Sequence, residues 1–175
     1  MMMTTPFKGF AKLQQPADLY LKLVHDRKRM ALKPRDPYAA FDFFVTAEHM
    51  LDWVFPGMDK GPKGKRAALR KSSPVLRIVS HVANGSKHFA AEAVQHQSVQ
   101  NIVSSGYAED DYANDYFEAL LIVELSDAEQ SEVGAPFLTT LHLADRALDF
   151  WESYLDLAPP PDEGEEYEPK LLPDL

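Results

Sequence analysis

Apolar residues recur along this chain first with a helical period, then in short runs, then with a helical period again. "PADLYLKLVHDRKRMALK", 16–33, sets Leu19, Leu23 and Met30 on one helical face, and Pro16 suits a first turn because no backbone donor is needed there. The prolines of "PRDP" end that helix, since each restrains its own φ and disfavours helical geometry in the residue before it. "YAAFDFFVTAEHMLDWVF", 38–55, is apolar nearly all round, which predicts a central helix enclosed by other elements. "PGMDKGPKGKR", 56–66, holds two prolines, three glycines and a cluster of cations, and predicts a mobile loop that projects positive charge. A further helix is predicted over 74–96, with Ser72 or Ser73 as cap and Pro74 in its first turn. Its apolar face is Val75, Val79, Val82, Ser86, Phe89 and Ala93. At about 100° per residue, Arg77, His81, Asn84 and His88 form an opposite stripe about 60° wide.

"SVQNIVSS" and "YFEALLIVEL" are shorter runs, rich in β-branched residues, and predict strands. "SDAEQSEVGAP" reads as the connection from which "FLTTL" returns antiparallel to 117–125. Helical spacing resumes in "HLADRALDFWESYLDL", 142–157, through Leu143, Ala147, Phe150, Trp151 and Tyr154. The expected fold is α+β, mainly α: a bundle of about four helices, a small antiparallel β-hairpin or sheet, and an acidic C-terminal tail. One domain is expected over 1–157, followed by a proline-rich tail, 158–175, whose composition predicts an extended or disordered segment.

Composition narrows the classes more than it selects one. No apolar run approaches the roughly 20 residues that span a bilayer, so no membrane association is expected. With no cysteine, disulfides, zinc–thiolate sites and a cysteine nucleophile are excluded. The first residues lack the apolar stretch and cleavage site of a secretion signal, and the expectation is a cytoplasmic protein. The net charge of −9 conceals a polarity: residues 1–87 carry sixteen of the eighteen Lys and Arg but only seven of the 27 acids. Such asymmetry suits either a basic nucleic-acid surface beside an acidic tail or two halves that attract each other.

Candidate chemistry gathers on two helices. His49, Asp52 and Trp53 share a face of the central helix through their i, i+3, i+4 spacing. Opposed to the polar stripe of 74–96, they predict a pocket of His49, Asp52, Arg77 and His81, with Asn84, Lys87 and His88 as the groups for acid–base chemistry. Histidines and an aspartate could also hold a divalent ion, but no HExxH spacing is present; neither a metal nor a cofactor is assigned. Ser86 and His88, two apart on a helix, diverge and make no nucleophile pair. Phe41, Phe43, Phe44, Trp53 and Phe55 read as core rather than as a platform for stacked bases. Lys60, Lys63, Lys65 and Arg66 are the candidate nucleic-acid contacts.

"AAFDFFVTAEHMLDWVFPG" and "RIVSHVANGSKHF" resemble a pattern of uncharacterised bacterial and phage-associated proteins, FFVTAxHxxDW followed by ANGxKHF, over about residues 38–90. A more distant resemblance is to the HEPN superfamily of helical ribonucleases and nucleotide-binding proteins. There an arginine, usually followed by a polar residue, precedes a histidine that serves RNA cleavage. Asn84 and His88 match the latter part of that RNxxxH pattern, while Ala83 stands at the arginine position. The resemblance implies a nucleic-acid-directed protein, an RNA binder or ribonuclease of defence or toxin–antitoxin type. The other functional expectation is a non-enzymatic regulator, such as a phage-derived inhibitor, engaging a basic protein partner through the acidic segments 109–118 and 156–174. The oligomeric state is left open, with a homodimer compatible.

Overall fold

The computed structural model describes residues 8–88, 93, 95–105 and 120–157. The polypeptide is α+β and mainly helical, in the order α1 (Pro16–Leu32), α2 (Pro37–Val54), α3 (Lys60–Ser72), α4 (Pro74–His88), β1 (Val99–Ser105), β2 (Leu120–Leu125), α5 (Asp127–Val133), β3 (Phe137–Thr139) and α6 (Thr140–Leu155). Helix starts follow local capping chemistry. The Asp18 carboxylate accepts the amides of Gln14 and Gln15 ahead of α1, at 2.8 and 3.0 Å, while Asp36 accepts the Tyr38 amide at the head of α2, at 2.9 Å. Thr139 does the same for His142 in α6, at 3.0 Å.

Helix α2 lies against α1, α4 and α6, and α6 closes back on α1 and α4. Their contact faces form one core around Leu23, Phe43, Phe44, Met50, Leu51, Ile78, Leu143 and Trp151, all essentially without solvent contact. The sheet is antiparallel in the order β1-β2-β3, with Ile102 opposite Val123 and Val123 opposite Leu138. Val123, Leu125 and Leu138 turn inward to extend the same core. Among the described residues no helix is long and apolar enough to cross a membrane.

Several expectations need correction. The segment expected as a mobile loop, 56–66, turns at Gly57, whose φ of 115° suits glycine, and then winds into α3. Gly61 and Pro62 fall in the first turn, where the amides have no intrahelical acceptor, so proline costs nothing there. The Lys63 amide completes that turn on the Asp59 carbonyl at 3.1 Å.

Helix α4 ends at His88 rather than near 96; residue 95 is already in a turn and the chain doubles back beside α4. Its buried side chains are Leu76, Ile78, Val79, Ser80, Val82 and Ala83, a wider set than the expected face, because α2, α3, α5, α6 and β1 all touch it. Phe89, assigned to that face, lies outside the described residues. The connection between β2 and β3 contains α5, closed by Gly134 in the left-handed conformation with φ 78°. There are thus six helices and three strands among the described residues where about four helices and a hairpin were expected. Phe41, placed in the core from its neighbours, is 43% exposed. Residues 116–119 of the second expected strand, the acidic segment 109–118 and the tail 158–175 lie outside the described residues.

Candidate functional site

The expected pocket required the His49 face of α2 to meet the His81 face of α4. The two helices do pack, but Glu48 and Ser80 lie between them: the Ser80 hydroxyl donates to Glu48 Oε1 at 3.2 Å. His49 and Asp52 sit on the outer side of α2, about half exposed, 3.2 Å from each other. Asp52 also meets Arg66 Nε at 3.3 Å. The pocket residues are therefore divided among separate sets of partners.

Arg77 is fully engaged as a clamp. Its guanidinium donates to both oxygens of Glu129 at 2.7 and 3.0 Å, pairs with Glu132 at 2.8 Å, and donates to the Lys71 carbonyl at 2.6 Å. These bonds, those to Glu129 above all, raise its pKa and tie α4 to α5 and to the end of α3.

His81 has a different structural task. Its Nδ1 accepts the amides of Ser98 and Val99, at 3.1 and 2.9 Å, and so docks the start of β1 onto α4. The proton of the neutral ring accordingly sits on Nε2. A metal ion at Nε2 would need an imidazolate, so this ring is better suited to donating a hydrogen bond than to ligating a cation. His96 stacks on it, ring centres 5.6 Å apart and planes at 29°. Burial lowers the pKa of both rings; for His96 the nearby charges of His81, Arg70 and His88 lower it further.

Asn84 turns its amide back to its own helix, donating to the Ser80 carbonyl at 2.8 Å. Lys87 and His88 are exposed at the end of α4. Of the expected nucleic-acid contacts, Lys60, Lys63 and Lys65 are exposed on α3, whereas Arg66 is buried. Arg66 donates to the carbonyls of Phe55 and Gly57, at 2.5 and 2.9 Å, and holds α3 against the end of α2. Its removal from the surface set follows from those bonds: open carbonyls at a helix end are strong acceptors for a guanidinium.

Glu48, Arg70, Ser80 and His96 were missed from the sequence, and they form the polar centre that exists. Arg70 reaches from α3 to Glu48 Oε1 at 2.7 Å, the oxygen that also accepts from Ser80. Burial raises the Glu48 pKa, opposed by Arg70, by the Ser80 bond and by the charge of Lys87. Of the three acids of α2, Glu48 is the one at i+4 from Phe44 and i−3 from Leu51, on the inward face, and that was the available signal. Ser80, Asn84 and Lys87 follow one another along one side of α4 at i, i+4 and i+7. The centre thus spans α2, α3 and α4, with the His81–His96 stack beside it. Among the described residues no three His, Asp or Glu side chains come together as a metal site.

No protein-family model, no curated protein and no solved structure matches this chain.

Proposed function

We propose that the protein is a nucleic-acid-directed protein that holds single-stranded RNA along the outer face of α3. One observation carries this reading. Helix α3 buries a single residue, Arg66, and leaves Lys60, Lys63, Lys65 and Lys71 exposed, with no ion pair to any of the four among the described residues. Among the described residues Lys22 is the one lysine with a carboxylate partner, Asp26 at 2.5 Å, so what sets α3 apart is how many unpaired cations a single helix gathers. A helix whose outward cations lack acids supplies the sequence-independent attraction that dominates affinity for a phosphate backbone. The exposed His88 and Lys87, at the end of α4, are the groups available for acid–base chemistry on a bound phosphodiester.

Binding of a fluorescent single-stranded RNA at 50 and 200 mM salt tests this. Affinity falls steeply with salt, and the fourfold variant K60Q/K63Q/K65Q/K71Q lowers the logarithmic slope by about 3, since each neutralised phosphate of a single strand contributes about 0.7. His88→Ala leaves binding unchanged and removes any cleavage. Absence of binding at the lower salt would overturn the proposal and direct attention to a basic protein partner for the acidic half.

A further inference from the structure

We infer that Arg70 is an oxyanion seat, a site for one phosphate group, at the inner end of the α3 surface. The inference rests on the nucleic-acid reading for the carrier of that phosphate, but the seat itself rests on how Arg70 is held. A guanidinium has five N–H donors in a fixed plane. Here one terminal nitrogen donates to Glu48 Oε1, while the Nε–H is buried with no acceptor among the described residues. A donor so placed is destabilising while it lacks an acceptor, which makes it unusual in a purely structural ion pair. Arg66, four residues earlier on the same helix, shows the contrast: its donors are spread over two carbonyls and Asp52.

The anchor is rigid. Glu48 is 8% exposed and is gripped from α3 by Arg70 and from α4 by Ser80. The Arg70 side chain nonetheless remains about a quarter exposed, which gives its free edge room to tilt. With Glu48 holding one terminal nitrogen, a tilt of the side chain would bring the buried Nε–H out to an oxyanion in the planar fork that arginine presents.

The surroundings favour an anion. Among the described residues one carboxylate, Glu48, faces Arg70 and the field of Lys87, and the next residue of α3 is the unpaired Lys71. The imidazoles of His81, His88 and His96 stand nearby, and the positive field of Arg70 already discourages a proton on His96. A phosphate on Arg70 cancels that field and makes His96 easier to protonate, so the seat and the ring respond to one ligand together. Phosphate fits better than a lone carboxylate because it carries more charge for the combined field of Arg70, Lys71 and Lys87.

Side-chain NMR of arginine-labelled protein, titrated first with inorganic phosphate and then with a short single-stranded RNA, tests the seat. Phosphate shifts the Arg70 Nε–H resonance, slows its exchange with water and raises the His96 pKa. Arg70→Lys, which keeps the charge but loses the fork, weakens phosphate binding by about tenfold or more. An Arg70 Nε–H that does not respond to phosphate, with an unchanged His96 titration, would overturn the seat whatever the variant does. If phosphate moves Arg70 but RNA does not bind, the seat stands and the RNA reading falls. If RNA binds with Arg70 silent, the RNA reading stands and the seat falls.

Discussion

Helices α2 and α3 are joined by five residues and both lie against α4, yet they are held in place by different means. α2 buries eight residues, among them Phe43, Phe44, Met50 and Leu51. α3 fully buries one, an arginine, and is tied down by Arg66 on the end of α2, by Arg70 on Glu48 and by Arg77 of α4 on the Lys71 carbonyl, with Leu69 packed partly buried against the core. The difference shows how a helix can stay on a protein while giving almost its whole surface to solvent. Apolar burial is non-directional and needs area, whereas directed arginine bonds to carbonyls and a carboxylate need little, so one partly buried leucine suffices beside them. The face of α3 is consequently free to carry charge.

The largest effect separating the two helices is expected from Phe43→Ala. Removal of a fully buried ring from α2 costs about 3–5 kcal/mol, read as a lower denaturant midpoint for the whole cooperative unit. Arg66→Ala comes next: loss of its bonds costs about 1–3 kcal/mol. Hydrogen exchange then rises in 60–72 before it rises in 37–54. Simultaneous, equal loss of protection in both helices would show that α3 shares the core of α2 after all.

A smaller effect is expected from pH, at the side of the molecule where Arg70 meets His96. The folded-state pKa of His81 and of His96 lies below the ordinary 6.5, so the unfolded chain binds their protons first. Their contribution is complete above that value and declines as pH falls through 6.5. A proton added to His81 must take Nδ1 and displace the amides of Ser98 and Val99. Thermal unfolding between pH 7.5 and 5.5 should show the decline, and His81→Asn, which keeps an acceptor without the titration, should flatten it. Glu48 has the opposite sign: its raised pKa means stability is lost as pH climbs above 4.5. The smallest effect belongs to Lys63→Gln and Lys71→Gln, each within about 0.5 kcal/mol of the parent, because an exposed lysine without a partner contributes little to folding. A larger loss from either would mean the outer face of α3 is structural.

The same contrast explains what could be read from the sequence. α1, α2 and α6 were placed within two residues at each end, because Pro16 and the prolines of "PRDP" mark boundaries and apolar spacing marks the helices' length. α3 was not, since Gly61, Pro62 and Gly64 look like turn chemistry and its anchors, Arg66 and Arg70, count as solvent-seeking in any hydrophobic pattern. α5 fits inside a segment that polarity alone assigns to a connection. The imidazoles of α4 were located correctly, but their roles depended on partners far along the chain: Ser98 and Val99 for His81, Glu129 for Arg77. Periodicity names the residues on a face; it does not say which neighbouring element that face will meet.

The docking of α6 on α1 has a consequence during synthesis. Tyr20 donates to Glu152 across 132 residues, and Arg27 grips Asp145 across 118. At about 5–20 residues per second, α1 emerges from a ribosome roughly 6–26 s before these partners exist. For that interval the side of α1 that α6 will cover, Tyr20 included, stands open on a nascent chain. That side closes only once α6 has been made and packs against α1.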